Sequence, residues 1–180
     1  MNKNIRKATL HDIQDMYNIE NNVYGKYGWN IETFRSEINK ETSHYLIYED
    51  KCVYNKIIGY IGAWVVIDEG HITTLVVSPK YRRNHVADIL LYNLVIELLN
   101  KGIKWLTLEV KVTNTPAINL YKKFRFNEIG IRKKYYEDNN EDALILWTNK
   151  IADESFIKNM ESIMSSILLN NSMLINHIIC

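Results

Sequence analysis

Cysteine is nearly absent: Cys52 and Cys180 are the only two in 180 residues. Neither stands near a second cysteine or a histidine at metal-ligand spacing, so no zinc site is expected. With no secretory segment, a disulfide framework has no support either. Two prolines, seven glycines, no Gly/Ser-rich stretch and no internal repeat leave no place for a linker between two globular units. Long hydrophobic runs are missing too. Met1-Asn2-Lys3-Asn4-Ile5-Arg6-Lys7 is basic but has no apolar segment behind it, unlike a signal peptide. The most apolar late stretch, 163–180, is broken by Asn170, Asn171 and Asn176, which speaks against a membrane span. Nor is there a surplus of one charge sign: 22 basic and 21 acidic residues are interspersed, for a formal net charge of +1. That argues against a general polyanion binder such as a nucleic-acid module, so a local site must select the substrate. The expected setting is cytoplasmic, with neither nucleic acid nor membrane as partner.

What is present suits one soluble domain, with 47% hydrophobic residues for a core and 24% charged residues for a surface. A short strand is expected over 5–8, followed by Thr9-Leu10-His11-Asp12, a helix start with an acid three residues after the capping threonine. Ile13, Met16, Tyr17 and Ile19-Glu20 carry that helix on, and a turn-rich stretch over 24–30 leads to a second helix through Phe34 and Ile38. Strands are expected over 45–49, 57–67 and 72–77. From Val86 the period changes, and Ala87, Leu90, Leu91, Leu94, Val95 and Leu98 mark an amphipathic helix that Gly102 stops. Over 104–110, Trp105, Thr107 and Glu109 alternate with Leu106, Leu108 and Val110. Ala117, Leu120, Tyr121 and Phe124 return to helical spacing, and strands over 126–136 and 143–150 close the order β-α-α-β-β-β-α-β-α-β-β. That is a mixed α/β domain.

Two segments carry chemistry. Leu75-Val76-Val77-Ser78-Pro79-Lys80-Tyr81-Arg82-Arg83-Asn84-His85-Val86-Ala87 runs from a strand through a basic turn into a long helix. Unpaired N–H groups and the helix dipole favour an anion such as a pyrophosphate there, with Arg82 and Arg83 adding charge. An ordinary strand-turn-helix with a solvated basic turn is the competing explanation. Further on, Glu109 near a strand end can take a proton from an ammonium. Tyr121 can return one to a leaving thiolate, its ordinary pKa being about 10. Alone, each reads better as a surface acid and a core aromatic.

Together these segments resemble the GNAT superfamily of acetyl-coenzyme A-dependent N-acetyltransferases. Within it they look most like the bacterial ribosomal-protein alanine N-acetyltransferases, which modify the N-terminus of small-subunit protein S18. The resemblance runs from about residue 5 to 150 and rests on Thr74 to Arg82, Leu108-Glu109-Val110, Asn114, Ala117-Ile118-Asn119-Leu120-Tyr121, and Arg132-Lys133-Lys134-Tyr135-Tyr136 followed by Glu141-Asp142-Ala143. It implies a GNAT fold, α/β (α+β), with a mostly antiparallel sheet, splayed middle strands, flanking helices and here a C-terminal helical tail. It implies acetyl-CoA as co-substrate, no metal, and acetyl transfer by direct attack of a protein N-terminal amine on the thioester. Main-chain groups of Leu75, Val76 and Val77 would hold the acetyl carbonyl and pantetheine arm, and Arg82, Arg83, Asn84, His85, Val86, Ala87 and Asp88 would surround the pyrophosphate. Glu109 would be the general base, Tyr121 the general acid, and Asn114 a pantetheine ligand. Tyr24, Trp29, Tyr135 and Tyr136 would line the peptide groove; the plain alternative is that these aromatics staple loops to the core.

One departure stands out. The family's phosphate loop has glycine where this chain has His85, and Asp88 adds a negative charge beside a negative ligand. Glycine tolerates dihedrals that cost other residues about 1–3 kcal/mol, whereas a histidine can offer a hydrogen bond or positive charge to phosphate. Reduced affinity, variant geometry and lost activity all remain open. Small-amine acetylation and a catalytically weakened CoA-binding or interaction module are the alternatives to peptide acetylation. His11, His44, His71 and His177 show no ligand or triad spacing. The expected division is an acetyltransferase domain over 1–151 and a helical extension over 152–180. After Asp153, a potential cap, the extension carries an apolar stripe of Phe156, Ile157, Met160, Ile163, Met164, Ile167 and Leu168. Either its own domain or a homodimer partner would cover that stripe.

Overall fold

β-Branched runs and 3.6-residue periods separate into seven strands and five helices in the computed structural model. The described residues are 4–175 other than 52 and 55, with only the backbone of 170–175. Cys52, Cys180, His177 and the Met1-to-Lys3 leader lie outside them, as do the expectations attached to those residues. The order is β1 (Ile5–Lys7), α1 (Ile13–Tyr24), α2 (Ile31–Asn39), β2 (Ser43–Asp50), β3 (Lys56–Val66), β4 (Glu69–Val77), α3 (Val86–Asn100), β5 (Trp105–Lys111), α4 (Thr115–Lys123), β6 (Phe126–Tyr136), β7 (Glu141–Thr148) and α5 (Glu154–Ile175). It repeats the order expected above, with strand ends moved by a few residues. The chain turns at Ile67, which is left-handed and 92% exposed, so β3 stops at Val66. β4 then starts earlier than the β-branched run, because Glu69, Gly70 and His71 pair with both neighbours.

The sheet order is β1-β2-β3-β4-β5-β7-β6. Every neighbouring pair is antiparallel except β4 and β5. That parallel contact is brief: Glu69, Gly70 and His71 meet Trp105, Leu106 and Thr107, and there the ladder ends. The cause lies in β4. Its pairing with β3 slips so that Thr73 is an extra residue between Ile72, opposite Ala63, and Thr74, opposite Gly62. A bulge bends its strand, and this one sits immediately past the last β4–β5 pair. From there β4 runs on to Val77 paired only with β3, while β5 runs to Lys111 paired only with β7. A wedge-shaped gap opens in the middle of the sheet.

The two faces of the sheet have separate cores. On one, α3 buries Leu90, Leu91, Leu94 and Leu98 completely, against strand residues that include Leu46, Ile61, Leu106 and Leu108. On the other, α1 and α2 supply Met16, Ile19 and Phe34 against Tyr45, Ile47, Tyr60 and Val76. α3 is more than amphipathic, since Val86, Ile89 and Val95 are buried as well. The reason is α5, whose Phe156, Met160, Ile163 and Ile167 join the α3 core, with Ile157 and Met164 less enclosed. The tail stripe therefore packs on its own chain. Leu168 leaves the stripe at 59% exposure, although Ile167 beside it is still buried. No helix among the described residues is long and apolar enough to cross a membrane.

Candidate active site

The donor half forms where β4 gives way to α3. Ser78 N–H donates to the Ile58 carbonyl on β3 at 2.8 Å. Antiparallel alternation then turns the main-chain polar groups of Val76 toward β3 and those of Leu75 and Val77 toward the gap. Arg82 Nε donates to the Val77 carbonyl at 3.3 Å, which folds the basic turn back along the strand. Gly59 lies beneath: a Cβ there would stand 2.9 Å from the Val76 carbonyl and 3.3 Å from Val86 and Leu90 side chains, so only glycine lets β3 approach so closely.

The turn reaches α3 through two left-handed residues, Arg83 at φ 65° and His85 at φ 57°. The expected strain at His85 is present, and Arg83 shares it; histidine is among the residues that tolerate this region better. Asn84 Nδ2 donates to the Tyr81 carbonyl at 3.4 Å. The first α3 backbone donor with a helical acceptor is Ile89, which bonds to the His85 carbonyl at 3.0 Å. No side chain caps the preceding N–H groups of Val86, Ala87 and Asp88. Asp88 turns away from them: Oδ2 lies 3.3 Å from His85 Nδ1 and Oδ1 accepts from Lys123 Nζ at 2.6 Å. Its charge is thus countered from α4. The uncapped start of a 15-residue helix, with Arg82 and Arg83 exposed beside it, fits a pyrophosphate-bearing ligand.

The acceptor half gathers side chains from distant segments. Glu109 is on the α1/α2 face of β5, opposite in direction to Leu108 and Val110, and is 27% exposed. Its Oε1 lies 3.1 Å from Arg132 Nη2 on β6. Tyr136 donates from its hydroxyl to the Glu109 carbonyl oxygen at 3.4 Å, and Lys111 Nζ sits 4.9 Å above the Tyr136 ring. The Tyr135 and Tyr136 rings meet edge-on at 5.2 Å, an arrangement permitted by left-handed Lys134 and the irregular β6 register between Arg132 and Tyr136.

Tyr121 comes from the opposite face. It belongs to the α3 core and is 6% exposed. Burial pushes its phenol pKa upward, and the phenols of Tyr24 and Tyr136 add to the rise. A group rooted in one core is therefore close enough to feel side chains on the other face, which the gap in the sheet allows. Among the described residues its hydroxyl has no hydrogen-bond partner, leaving the O–H available to a bound group. The Tyr136 phenol is raised by burial, then by Tyr135 and Glu109. Tyr24 is raised by burial and by Glu20, with Arg82 pulling the other way. Tyr136 is thus tied to Glu109 by a hydrogen bond, and its phenol and that of Tyr24 both act on Tyr121.

Two expected residues also have structural contacts. Asn114 caps α4, its Oδ1 accepting from Ala117 N–H at 3.3 Å. Trp29 is a staple: its ring packs edge-on to Phe34 at 5.6 Å and against Tyr45 at 6.5 Å, while its main-chain N–H donates to Glu20 Oε1 at 3.1 Å. Tyr24 and Tyr27, 47% and 60% exposed, present the turn to solvent instead. The supporting contacts of Glu20, Arg132 and Lys123 escaped the sequence pattern, because each joins segments far apart in the chain. Of the histidines, His44 is buried against Glu97 at 2.8 Å and His71 stacks on Trp64 at 4.7 Å. Among the described residues no cluster of His, Cys, Asp or Glu could hold a metal ion.

Comparison with known proteins adds a family-level match over residues 11–126, to the family described as acetyltransferase (GNAT). A Bacillus subtilis protein provisionally assigned as a ribosomal protein bS18-alanine N-acetyltransferase is 38% identical over 144 residues, 79% of this chain and 93% of its own. The Escherichia coli K12 ribosomal protein bS18-alanine N-acetyltransferase is 32% identical over 137 residues, covering 75% of this chain and 89% of its own. The crystal structure of the ribosomal-protein-S18-alanine N-acetyltransferase from Escherichia coli matches with a TM-score of 0.74 at 31% identity, over 83% of this chain and 96% of that one.

Proposed function

The chain belongs to the acetyltransferase (GNAT) family and is an N-acetyltransferase, and on that premise we propose that it acetylates a protein N-terminal amine, with the alanine N-terminus of ribosomal protein S18 as acceptor. The family uses acetyl-CoA, which supplies a thioester whose carbonyl carbon is attacked by nitrogen and whose sulfur departs. The start of α3, with Arg82 and Arg83, binds the pyrophosphate. The gap-facing N–H groups of Leu75 and Val77 hold the acetyl carbonyl oxygen, where negative charge develops during attack. Glu109 takes the proton of the acceptor ammonium, directly or through one water. As the C–N bond forms and the C–S bond breaks, Tyr121 gives its proton to the sulfur. A phenol with a raised pKa stays protonated until then, and burial disfavours a free thiolate in the same place. Tyr24, Tyr135 and Tyr136 flank the acceptor and keep water from the amine.

The observation that carries this reading is the gap itself, with Glu109 approaching from one face of the sheet and Tyr121 from the other. The relatives named for the bS18 reaction support the choice of acceptor. Incubation with acetyl-CoA and an Ala-starting S18 peptide, or with spermidine-like free amines, followed by mass spectrometry tests it. The expected product is the peptide 42 Da heavier (roughly, for one acetyl group replacing hydrogen), from a proton-transfer mechanism worth about 10²–10⁴-fold. Exclusive modification of free amines would overturn the peptide reading. A catalytically weakened CoA-binding or interaction module is the rival, favoured by the left-handed Arg83 and His85; it predicts no acetyl transfer to either substrate and a function that survives both Glu109→Gln and Tyr121→Phe.

A further inference from the structure

The ion pair between Arg132 and Glu109 has no task in the chemistry just described. It bridges strands that do not touch. Arg132 on β6 stands opposite Ala143 on β7, Ala143 stands opposite Lys111 on β5, and Glu109 stands opposite Ile145. Antiparallel partners share a face, so Glu109, Ile145, Ala143 and Arg132 all point to the α1/α2 side. The small Ala143, fully buried, lets the long guanidinium side chain cross over β7 and reach Glu109 Oε1 at 3.1 Å. The guanidinium carbon also lies 5.6 Å from the Tyr135 ring centre. At the next residue, Tyr136 bonds to the backbone of the same glutamate. β6 therefore grips Glu109 twice, by its carboxylate and by its carbonyl.

The pair's exposure, 54% for Arg132 and 27% for Glu109, makes it a weak source of stability, because solvent screens such pairs. Its geometry is more informative. The guanidinium makes its closest approach at one carboxylate oxygen, Oε1. We propose that Arg132 is a positioning residue for the transfer step: by its contact at Oε1 it fixes the carboxylate rotamer and so the direction from which Glu109 meets the incoming amine. This rests on Glu109 being the base. A carboxylate free to rotate would spend most of its time misdirected, and misplacement of a reacting group by about an ångström costs on the order of 100-fold in rate.

The test is a steady-state comparison of Arg132→Gln, Arg132→Lys, Glu109→Gln and the double variant Glu109→Gln/Arg132→Gln, on an Ala-starting peptide with acetyl-CoA. Calorimetric acetyl-CoA affinity and melting temperature are measured on each. Arg132→Gln is expected to lower kcat about 10- to 100-fold, with acetyl-CoA affinity and melting temperature near wild type. Arg132→Lys, which keeps a cation within reach, should recover part of the loss. In the Glu109→Gln background, Arg132→Gln should add nothing, as expected for two residues acting as one unit. Wild-type kcat in Arg132→Gln, an equal loss in the Glu109→Gln background, or an effect confined to the peptide KM would each overturn the positioning role. Should Glu109→Gln alone keep wild-type kcat, the base assignment fails instead, and that outcome is separate from the others.

Discussion

The donor and acceptor halves of the site are built in opposite ways. The donor half comes from one contiguous stretch, the end of β4, a basic turn and the first turn of α3, and in the proposed reaction it would bind through main-chain groups and helix polarity. The acceptor half collects Tyr24 from α1, Glu109 from β5, Tyr121 from α4 and Arg132, Tyr135 and Tyr136 from β6. The first tolerates side-chain change, provided the backbone keeps its path. The second depends on individual side chains and on the strands that hold them in register. The halves are linked where Arg82 acts on the Tyr24 phenol.

Removing α5 should have the largest effect, and it strikes the donor half from behind. Phe156, Met160, Ile163 and Ile167 are each 7% exposed or less. Burying such side chains contributes about 1.5–3 kcal/mol apiece, so their combined loss rivals the roughly 5–15 kcal/mol stability of a whole domain. A chain ending at residue 151 is expected to be unfolded or aggregated in circular dichroism and sedimentation. A folded, acetyl-CoA-binding fragment would instead make 1–151 a domain in its own right.

Next in size come the paired acceptor variants. Glu109→Gln and Tyr121→Phe should each lower kcat on the order of 10²- to 10⁴-fold while acetyl-CoA affinity by calorimetry stays within a few-fold of wild type. A matched fall in affinity would erase the distinction between the halves.

A smaller effect concerns Glu20, which anchors the acceptor turn. It is 4% exposed, accepts from Trp29 N–H and from the Tyr60 hydroxyl, and burial raises its pKa. The folded state therefore holds this proton to higher pH than the unfolded chain. Its contribution to stability is greatest below the unfolded value and declines as pH rises through the folded one. Urea denaturation of Glu20→Gln, which lacks the titration, should show the variant gaining on wild type between pH 4 and pH 8. A gap constant with pH would remove Glu20 from that role.

The mildest change is His85→Gly. It relieves a left-handed side chain but adds backbone freedom to the unfolded chain. Chemical denaturation should show a change within about 1 kcal/mol, with acetyl-CoA affinity equal to or better than wild type. A clear loss of affinity would mean that the imidazole itself contacts the ligand, and that the donor half uses a side chain after all.

Most of the fold could be read before the structure. The alternation of Trp105, Thr107 and Glu109 with Leu106, Leu108 and Val110 separated the two faces of β5, and the spacing from Ala87 to Leu98 placed α3. The gap between β4 and β5 followed only from family resemblance; its cause, the extra residue at Thr73, depends on how β4 registers against β3 and leaves no mark in a local pattern. Asn114 and Trp29 were read as ligand and groove residues, but their cap and staple contacts come from neighbours that spacing does not specify. The tail stripe was visible, whereas its cover was not, since periodicity shows that a face is apolar without saying what buries it.

The proposed roles of Glu109 and Tyr121 came only with the family resemblance, whereas the sequence by itself determined which segments are strands and helices and where a basic turn meets a helix start. These are properties of residue type and local spacing, set by backbone sterics and side-chain chemistry. Tertiary structure alone decided that Tyr121 reaches across from the opposite core, that Asp88 is neutralised by Lys123, and that Arg132 spans Ala143 to hold Glu109. Each of these joins residues distant in the chain, and only the packing of two cores on a bent, partly opened sheet brings them together.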